Sequence, residues 1–256
     1  MDGRIERQKK HFDSIAERYE RARQHPNHLC LKNLIWSEFL GDSLSQLPET
    51  VRVLEPMCGF ADGKSILSDY VDGRIDYHGF DYSTEVVTRL KEKHPEVNVW
   101  QQDVSTFSSD DQYDIIILLG GLHHVPHIAG DVVKRLSERL SDTGIFINLE
   151  PTYGNRLFQS VREWIYRRNS LFDEQTERAF SVAELRGFFE ASGLEPSTII
   201  YPGLLAYVLY YNPDAFPYLN IGRPGLVKAI WSMERPLVRG RLARSLSFAT
   251  LSMWSR

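Results

Sequence analysis

The sequence predicts an α/β fold in which a mostly parallel sheet carries helices on both faces. The first observation is that acids end three successive predicted strands, at Glu55, Asp81 and Asp103. These acids are 26 and then 22 residues apart, about the length of one strand, one helix and two short loops. The second observation is the apolar run at 113–119, which suits a strand buried on both faces. Open sheets of this kind bind ligands beyond the carboxyl ends of their strands.

Two helices are predicted before the first strand. The first stops before Pro26, and the second covers 29–40 and ends at Gly41. The first helix has one apolar face, formed by Phe12, Ile15, Ala16 and Tyr19. This segment predicts a helical cap over residues 1–48.

The later elements alternate regularly between strand and helix. Strands are predicted at 51–54, 76–80, 97–101, 113–119 and 144–149, and helices at 63–70, 83–94 and 131–140. Ser181 and Glu184 form a capping box, S-x-x-E, which opens a helix ended by Gly193. Two final strands at 198–201 and 204–211 complete a seven-stranded pattern.

Length and composition predict one large domain in a reducing compartment. A chain of 256 residues suits one α/β domain with accessory helices. The two cysteines, Cys30 and Cys58, lie far apart without metal-ligand spacing, so neither a disulfide nor a metal site is expected. The N-terminus is charged where a signal peptide needs an apolar region, and no apolar run approaches the length of a membrane span. We therefore expect a cytoplasmic protein.

The C-terminal segment is basic, although the chain as a whole is slightly acidic. Residues 221–256 contain six Arg and one Lys against one Glu, a net charge of +6, whereas the whole chain carries −4. Because the main body is acidic, no nucleic-acid partner is expected. The tail has an apolar stripe at helical spacing, interleaved with Arg239, Arg241 and Arg244, and the stripe consists of Val238, Leu242, Leu246, Ala249 and Met253. It predicts a helix that contacts a membrane or a partner protein, or else packs on the domain with its arginines solvated.

The loop after the first strand carries the motif that points to a family. Glu55, Gly59 and Ala61 fall on the first, fifth and seventh places of the pattern acid-x-Gly-x-Gly-x-Gly, and Met57 takes the third place. Together with the acids that end the next two strands, this loop resembles that of the class I S-adenosylmethionine-dependent methyltransferases. The resemblance covers roughly residues 10 to 211.

The resemblance implies a fold and a domain plan. The fold is a Rossmann-like, seven-stranded, mostly parallel sheet whose last strand is antiparallel. The methyltransferase domain spans 49–212, preceded by the helical cap and followed by a basic amphipathic extension over 213–256. Within this domain, residues 151–180 form an insertion that covers the acceptor. One helix face of the insertion consists of Leu157, Phe158, Val161, Trp164 and Ile165.

The resemblance also implies S-adenosyl-L-methionine as the cofactor. Asp81, with Tyr82 beside it, resembles the residue that accepts hydrogen bonds from both ribose hydroxyls. Asp103 and Val104 resemble the pair that holds adenine through a carboxylate and a backbone N–H group. The end of strand four, at Leu119 and Gly120, would lie beside the methionine moiety.

Histidines directly after strand four are the candidate catalytic residues. His123 and His124 stand in the string LHHV, which resembles the family's motif at this position. For a hydroxyl acceptor, either could act as general base, because the pKa of histidine lies near working pH. The alternative is that they only pack or hydrogen-bond the loop, and His127 is a weaker candidate. Tyr19 either faces the active site or is a core aromatic residue.

The sequence therefore predicts a methyltransferase acting on a small-molecule or lipid-linked acceptor, at oxygen or nitrogen. Two alternatives stay open. The missing glycines and the basic tail are compatible with a catalytically silent S-adenosylmethionine-binding subunit. A nicotinamide-dependent oxidoreductase would need Gly-x-Gly-x-x-Gly after the first strand, and the segment EPMCGFADG does not supply it.

Overall fold

The computed structural model describes residues 17–18, 20–41, 44, 47–168 and 177–256. Its sheet has the strand order β3-β2-β1-β4-β5-β8-β7, and β6 pairs with β5 beside this path. The strands are β1 Thr50–Pro56, β2 Arg74–Asp81, β3 Asn98–Gln101, β4 Tyr113–Leu119, β5 Leu140–Tyr153, β6 Phe180–Ser181, β7 Glu195–Ile200 and β8 Ala249–Ser255. Strands β1 to β5 pair in parallel, whereas β8 runs antiparallel to β5 and β7.

Helices cover both faces of the sheet, as predicted. They are α1 Pro26–Leu40, α2 Asp62–Leu67, α3 Thr84–Lys93, α4 Ala129–Ser137, α5 Arg156–Arg168, α6 Val182–Ala191, α7 Leu205–Tyr210, α8 Pro224–Glu234 and α9 Arg241–Leu246. Buried side chains of α1, α2, α3, α7 and α8 share one core with the sheet, and those of α4 and α6 share a second. The predicted α/β fold with a mostly parallel sheet is confirmed.

Strand β4 shows why the parallel part of the sheet could be predicted from the sequence. The predicted span 113–119 is the observed one, and Ile115, Ile116, Ile117 and Leu118 are all fully buried. Alternate residues enter the two different cores, Ile115 and Ile117 on one side and Ile116 and Leu118 on the other. A strand covered by helices on both faces needs this continuous apolar run.

Helix ends also agree with the sequence signals. The Ser181 hydroxyl accepts a hydrogen bond from the Glu184 amide at 3.0 Å at the start of α6, and Gly193 beyond its end has φ of +77°. Helix α1 ends at Leu40, before Gly41, as predicted. The predicted apolar face of the first helix, including Tyr19, lies outside the described residues, although residues 20–23 are helical.

The prediction for the end of the sheet was wrong. Residues 204–211 were expected to form the antiparallel strand, but they contain helix α7, and the antiparallel strand is β8. Strand β8 lies between β5 and β7, inside the sheet. The sheet thus takes an internal strand from the segment 213–256, which was expected to be an extension of the domain.

The predicted helical stripe of the tail was wrong in its last part, because Leu242 and Leu246 lie on helix α9 but Ala249 and Met253 do not continue that helix. Ala249 and Met253 belong to β8, and they enter one core together with Leu251, while Trp254 enters the other. Residues four apart lie on the same side of a strand as well as near one another on a helix. The spacing therefore fits both a helix and a strand. The segment forms a strand because it pairs with β5 on one side and β7 on the other.

The described helices include none that is both long and apolar enough to cross a membrane.

Candidate active site

A cavity of about 520 Å³ opens at the carboxyl ends of β1, β2, β4 and β5. The order of strands reverses between β1 and β4, and open α/β sheets bind ligands at such a switch point. Predicted site residues that line this cavity are Glu55, Gly59, Asp81, Tyr82, Leu119, Gly120, His123 and His124. The structure thus brings most of the predicted site residues together at one sheet edge.

The loop after β1 keeps a left-handed path at three alternating positions. Met57, Gly59 and Ala61 have φ of 54°, 51° and 60°. These are the third, fifth and seventh places of the motif, where glycine would adopt positive φ without strain. An L-residue pays about 1–2 kcal/mol in this region. The loop therefore keeps its path although two of the three glycines are replaced.

Glu55 holds this loop to the first turn of α2. Its buried carboxylate accepts hydrogen bonds from the Gly63 amide at 2.8 Å, the Lys64 amide at 3.2 Å and the Tyr77 hydroxyl at 2.7 Å. A Cβ atom on Gly63 would lie 2.7 Å from the Glu55 Cδ, so the position requires glycine. Burial raises the pKa of Glu55 to about 8, although the three donors oppose this shift.

Asp81 joins the loop to the start of α3. Its Oδ2 accepts a hydrogen bond from the Gly59 amide at 3.1 Å, and its Oδ1 accepts one from the Ser83 amide at 2.9 Å. The side chain lines the cavity beside Tyr82. A carboxylate on the cavity wall is a suitable acceptor for a ligand hydroxyl.

Three predicted residues do not line the cavity. Ala61 is buried in the loop, and Val104 is buried in the second core. The Asp103 carboxylate accepts a hydrogen bond from the Ser105 amide at 2.8 Å and so caps the 3-10 turn Val104–Thr106. The assignment of adenine to Asp103 and Val104 therefore stays a prediction.

Glu150, at the end of β5, holds the turn that follows β4. This fully buried carboxylate accepts hydrogen bonds from three successive amides, those of Gly121 at 2.9 Å, Leu122 at 2.7 Å and His123 at 3.3 Å. Its Oε2 also lies 2.9 Å from Nδ1 of His123. The sequence interpretation missed Glu150, although it is one more acid directly after a predicted strand.

His124 has a carboxylate partner of its own. Its Nδ1 lies 3.4 Å from Oε1 of Glu177, and the two histidine rings are 4.0 Å apart. Burial lowers the pKa of His123, and the charge of His124 lowers it further. Burial also disfavours the charged form of His124, but Glu177, Glu150 and Asp81 together outweigh it and raise the pKa of His124. The pair thus favours a proton on His124 and a neutral His123.

The same side chains are close enough to hold a cation. The candidate ligand atoms of His123, His124 and Glu177 all lie within 4.8 Å of one another. No metal site was expected from the sequence. Two histidine–carboxylate pairs, His123 with Glu150 and His124 with Glu177, account for the arrangement without an ion.

Much of the cavity lining is apolar. Helix α5, within the predicted acceptor cover, contributes Val161, Trp164 and Ile165, and α7 contributes Tyr207 and Val208. Other apolar residues that line the cavity include Phe216, Leu219 and Phe248. This apolar lining suits an acceptor with an apolar or aromatic body.

Arg162 fastens α5 to the start of β8. Its guanidinium lies over the Phe248 ring, 5.2 Å from the centroid, and donates to the carbonyl oxygens of Phe248 and, at 3.2 Å, Thr152. The Phe158 ring also packs on Phe248, with centroids 4.8 Å apart. The cover helix is therefore held against the C-terminal strand.

A half-buried ion pair also lines the cavity. Lys32 of α1 contacts Asp62 of α2 at 3.0 Å, and both line the cavity. Burial alone would raise the pKa of Asp62, but Lys32 and Arg23 outweigh it and lower that pKa. These charges were not identified from the sequence, because their pairing depends on the packing of α1 against α2.

Comparison with known proteins identifies a methyltransferase domain in this part of the chain. Residues 53–144 match the family model described as a methyltransferase domain. No curated protein sequence matches the chain. The matched segment contains the loop after β1, Asp81 and the two histidines.

Solved structures share the fold at low sequence identity. A DhpI–SAM–HEP complex is 18% identical, with a TM-score of 0.57 over 77% of this chain and 92% of the other. The cyclopropane synthase MmaA2 from Mycobacterium tuberculosis is 12% identical, with a TM-score of 0.59 over 90% and 82%. An O-methyltransferase from a trans-AT PKS multienzyme of Brevibacillus brevis, in complex with S-adenosyl-L-homocysteine, is 16% identical, with a TM-score of 0.57 over 88% and 71%.

At these identities the structural likeness shows the fold, and the family match adds a methyltransferase domain over residues 53–144. The switch point between β1 and β4, the left-handed loop after β1 and the acid that ends β2 all lie at one cavity. Together with the methyltransferase-domain match over residues 53–144, these features support a class I S-adenosylmethionine-dependent methyltransferase.

Proposed function

We propose that this methyltransferase acts on a small-molecule or lipid-linked acceptor, at oxygen or nitrogen. The observation that carries the proposal is the contact between His123 and Glu150 in the cavity, where Nδ1 of the ring lies 2.9 Å from Oε2 of the carboxylate. An acceptor that must lose a proton needs a base in such a position.

The donor side of the cavity fits S-adenosylmethionine. Asp81 lines the cavity, and a carboxylate there suits ribose hydroxyls, which donate hydrogen bonds. Gly59 also lines it, and a Cβ atom built there would meet nothing within 4 Å, so the backbone is open to a ligand. When bound, S-adenosylmethionine supplies a methyl group activated by the sulfonium charge.

His123 is assigned the role of general base. A neutral imidazole whose Nδ1–H donates to Glu150 carries its lone pair on Nε2. Because burial lowers the pKa of His123, this lone pair is available at neutral pH. Nε2 would accept the proton from an acceptor hydroxyl or amine as the new bond to carbon forms. His124 beside it, whose pKa is raised by Glu177, would orient an electronegative group of the acceptor.

Residues 151–168 are assigned to acceptor positioning. Pro151 and side chains of α5 line the cavity, and the cover helix is fastened by Arg162 to β8. Holding the acceptor in line with the donor can supply much of the rate in a displacement of this kind. Tyr19 keeps its predicted role at the active site as a proposal.

The experiment is a transfer assay without a chosen acceptor. The purified protein is incubated with small-molecule and lipid fractions of a cell extract and a methyl-labelled donor, and the products are identified by mass spectrometry. We expect label in a compound whose new methyl group is bound to oxygen or nitrogen. Calorimetric binding of the donor without transfer to either fraction would favour the silent-subunit alternative, and label on carbon would contradict the proposal.

A further inference from the structure

Helix α5, which lies within the predicted acceptor cover, has an inner side and an exposed apolar side. Phe158, Arg162 and Ile165 lie at i, i+4 and i+7 on its inner side. Its outer side carries an apolar stripe at the same spacing, which consists of Leu157, Val161 and Trp164. These three side chains are 69%, 38% and 54% exposed. Large apolar side chains in a row on the surface are typical of an interaction site.

The stripe is continuous with the cavity. Val161 and Trp164 line the cavity as well as being exposed, so the apolar surface runs from the outside of α5 into the cavity. Leu219, on the loop after α7, also lines the cavity and is exposed. A ligand entering along this surface would stay in apolar contact.

Helix α9 extends the same face. The Asn155 side chain, which caps α5 by accepting from the Phe158 amide at 3.0 Å, also donates to the Ser245 carbonyl of α9 at 2.8 Å. Leu242 and Leu246 are exposed on α9, one turn apart. We call this surface the α5–α9 face, and its apolar members are Leu157, Val161, Trp164, Leu242 and Leu246.

The α5–α9 face carries an excess of positive charge. Helix α9 contains two arginines and no acid. Within the described part of the chain, the exposed side chains of Arg241 and Arg244 form no ion pair with a carboxylate. Helix α5 adds Arg156, Arg167 and Arg168 against one acid, Glu163, which pairs with Arg167 at 4.0 Å. Arg168 lies over the Trp164 ring, 4.9 Å from its centroid.

We propose that the α5–α9 face docks on an anionic lipid bilayer, from which the acceptor enters the cavity. Arginines attract anionic headgroups, while tryptophan and leucine enter the boundary of the acyl chains. A lipid surface fits better than a protein partner, because a protein seated on Val161 and Trp164 would cover the entrance that they line. The entry of a lipid-linked acceptor rests on the proposed function, whereas the docking is independent of it.

The test is flotation of the full-length protein with vesicles of phosphatidylcholine alone or mixed with phosphatidylglycerol. We expect binding to the mixed vesicles only, weakened by added salt. The double variant Leu157→Ser with Leu242→Ser should reduce binding about tenfold or more, as should Arg241→Gln with Arg244→Gln. None of these four residues lines the cavity.

The matched control removes two exposed apolar side chains elsewhere. Leu226→Ser with Met233→Ser, on α8, should bind vesicles as the wild type does. The inference would be overturned if the wild type did not bind vesicles or bound neutral vesicles equally well. It would also be overturned if the variant Leu157→Ser with Leu242→Ser bound as fully as the wild type. A dimer in light scattering that Leu157→Ser disrupts would overturn it too.

A donor-site variant separates this inference from the proposed function. Asp81→Ala should lose donor affinity in calorimetry but keep vesicle binding. If wild-type protein methylates a soluble acceptor and does not bind vesicles, the docking inference fails while the proposed function stands.

Discussion

Glu150 holds His123 by both its backbone and its ring, with Oε2 2.9 Å from the ring Nδ1 and 3.3 Å from the amide nitrogen. The same carboxylate accepts hydrogen bonds from two further backbone amides of this turn. One buried acid from β5 therefore fixes both the turn after β4 and the orientation of the candidate base.

Replacing this acid should weaken catalysis more than donor binding. In Glu150→Gln the charge that stabilises a protonated His123 is lost, so we expect kcat to fall about tenfold to a hundredfold. Because Glu150 raises the pKa of His123, the acid limb of the kcat/KM profile should move to lower pH. Initial rates across pH and calorimetry of the donor check both expectations.

The control for this change is Glu195→Gln, at an exposed position of β7. It should leave the rate and the pH profile unchanged. An unshifted acid limb in Glu150→Gln, with reduced activity, would show that Glu150 acts only on the fold of the turn.

Asp81 should determine donor affinity. Loss of charge-assisted hydrogen bonds to the ribose is expected to cost ~2–4 kcal/mol of binding free energy in Asp81→Ala. The measurement is calorimetry with S-adenosylmethionine on protein whose folding is checked by circular dichroism. Asp72→Ala, at an exposed position before β2, is the control and should bind normally. Unchanged affinity in Asp81→Ala would remove Asp81 from the donor site.

The left-handed loop makes a prediction about stability. Ala61 has φ of 60°, so Ala61→Gly relieves about 1–2 kcal/mol of strain. The larger freedom of glycine in the unfolded chain costs about 0.5–1 kcal/mol. The free energy of unfolding should therefore rise by up to roughly 1.5 kcal/mol in urea denaturation.

The opposite sign is expected at a helical alanine. Ala229→Gly, at an exposed position inside α8, should lower the free energy of unfolding by about 0.5–1 kcal/mol. Equal destabilisation by both substitutions would mean that Ala61 carries no strain.

The C-terminal strand should be essential for folding. Trp254 is buried in β8 and stacks on Phe189 of α6, with ring centroids 4.7 Å apart. Trp254→Ala should therefore lower the free energy of unfolding by about 3–5 kcal/mol. Met233→Ala, at a side chain 77% exposed on α8, should change it by less than about 0.5 kcal/mol. A small effect at Trp254 would argue against β8 as an internal strand.

The sequence predicted the site best where strand ends determine it. Glu55 and Asp81 were found because parallel strands bring their carboxyl ends to one edge, and the same rule extends to Glu150. Asp103 follows this rule too, but its carboxylate caps a turn. Spacing alone does not tell a ligand-binding acid from a capping one, because both residues follow a strand.

The C-terminal half was less predictable because its signals fit two structures. Ala249 and Met253 fit the spacing of a helix and of a strand, and only the gap between β5 and β7 decides between them. The pairing of His124 with Glu177 and of Lys32 with Asp62 likewise depends on packing between distant segments. No local pattern in the chain encodes such contacts.

The central claim is that His123 takes a proton from the acceptor, and His123→Gln tests it most directly. With the acceptor identified by the transfer assay, kcat should fall about a hundredfold or more, while the donor binds with unchanged affinity. His94→Gln, an exposed histidine at the end of α3, should keep full turnover. Full turnover in His123→Gln with the same acceptor would contradict the account.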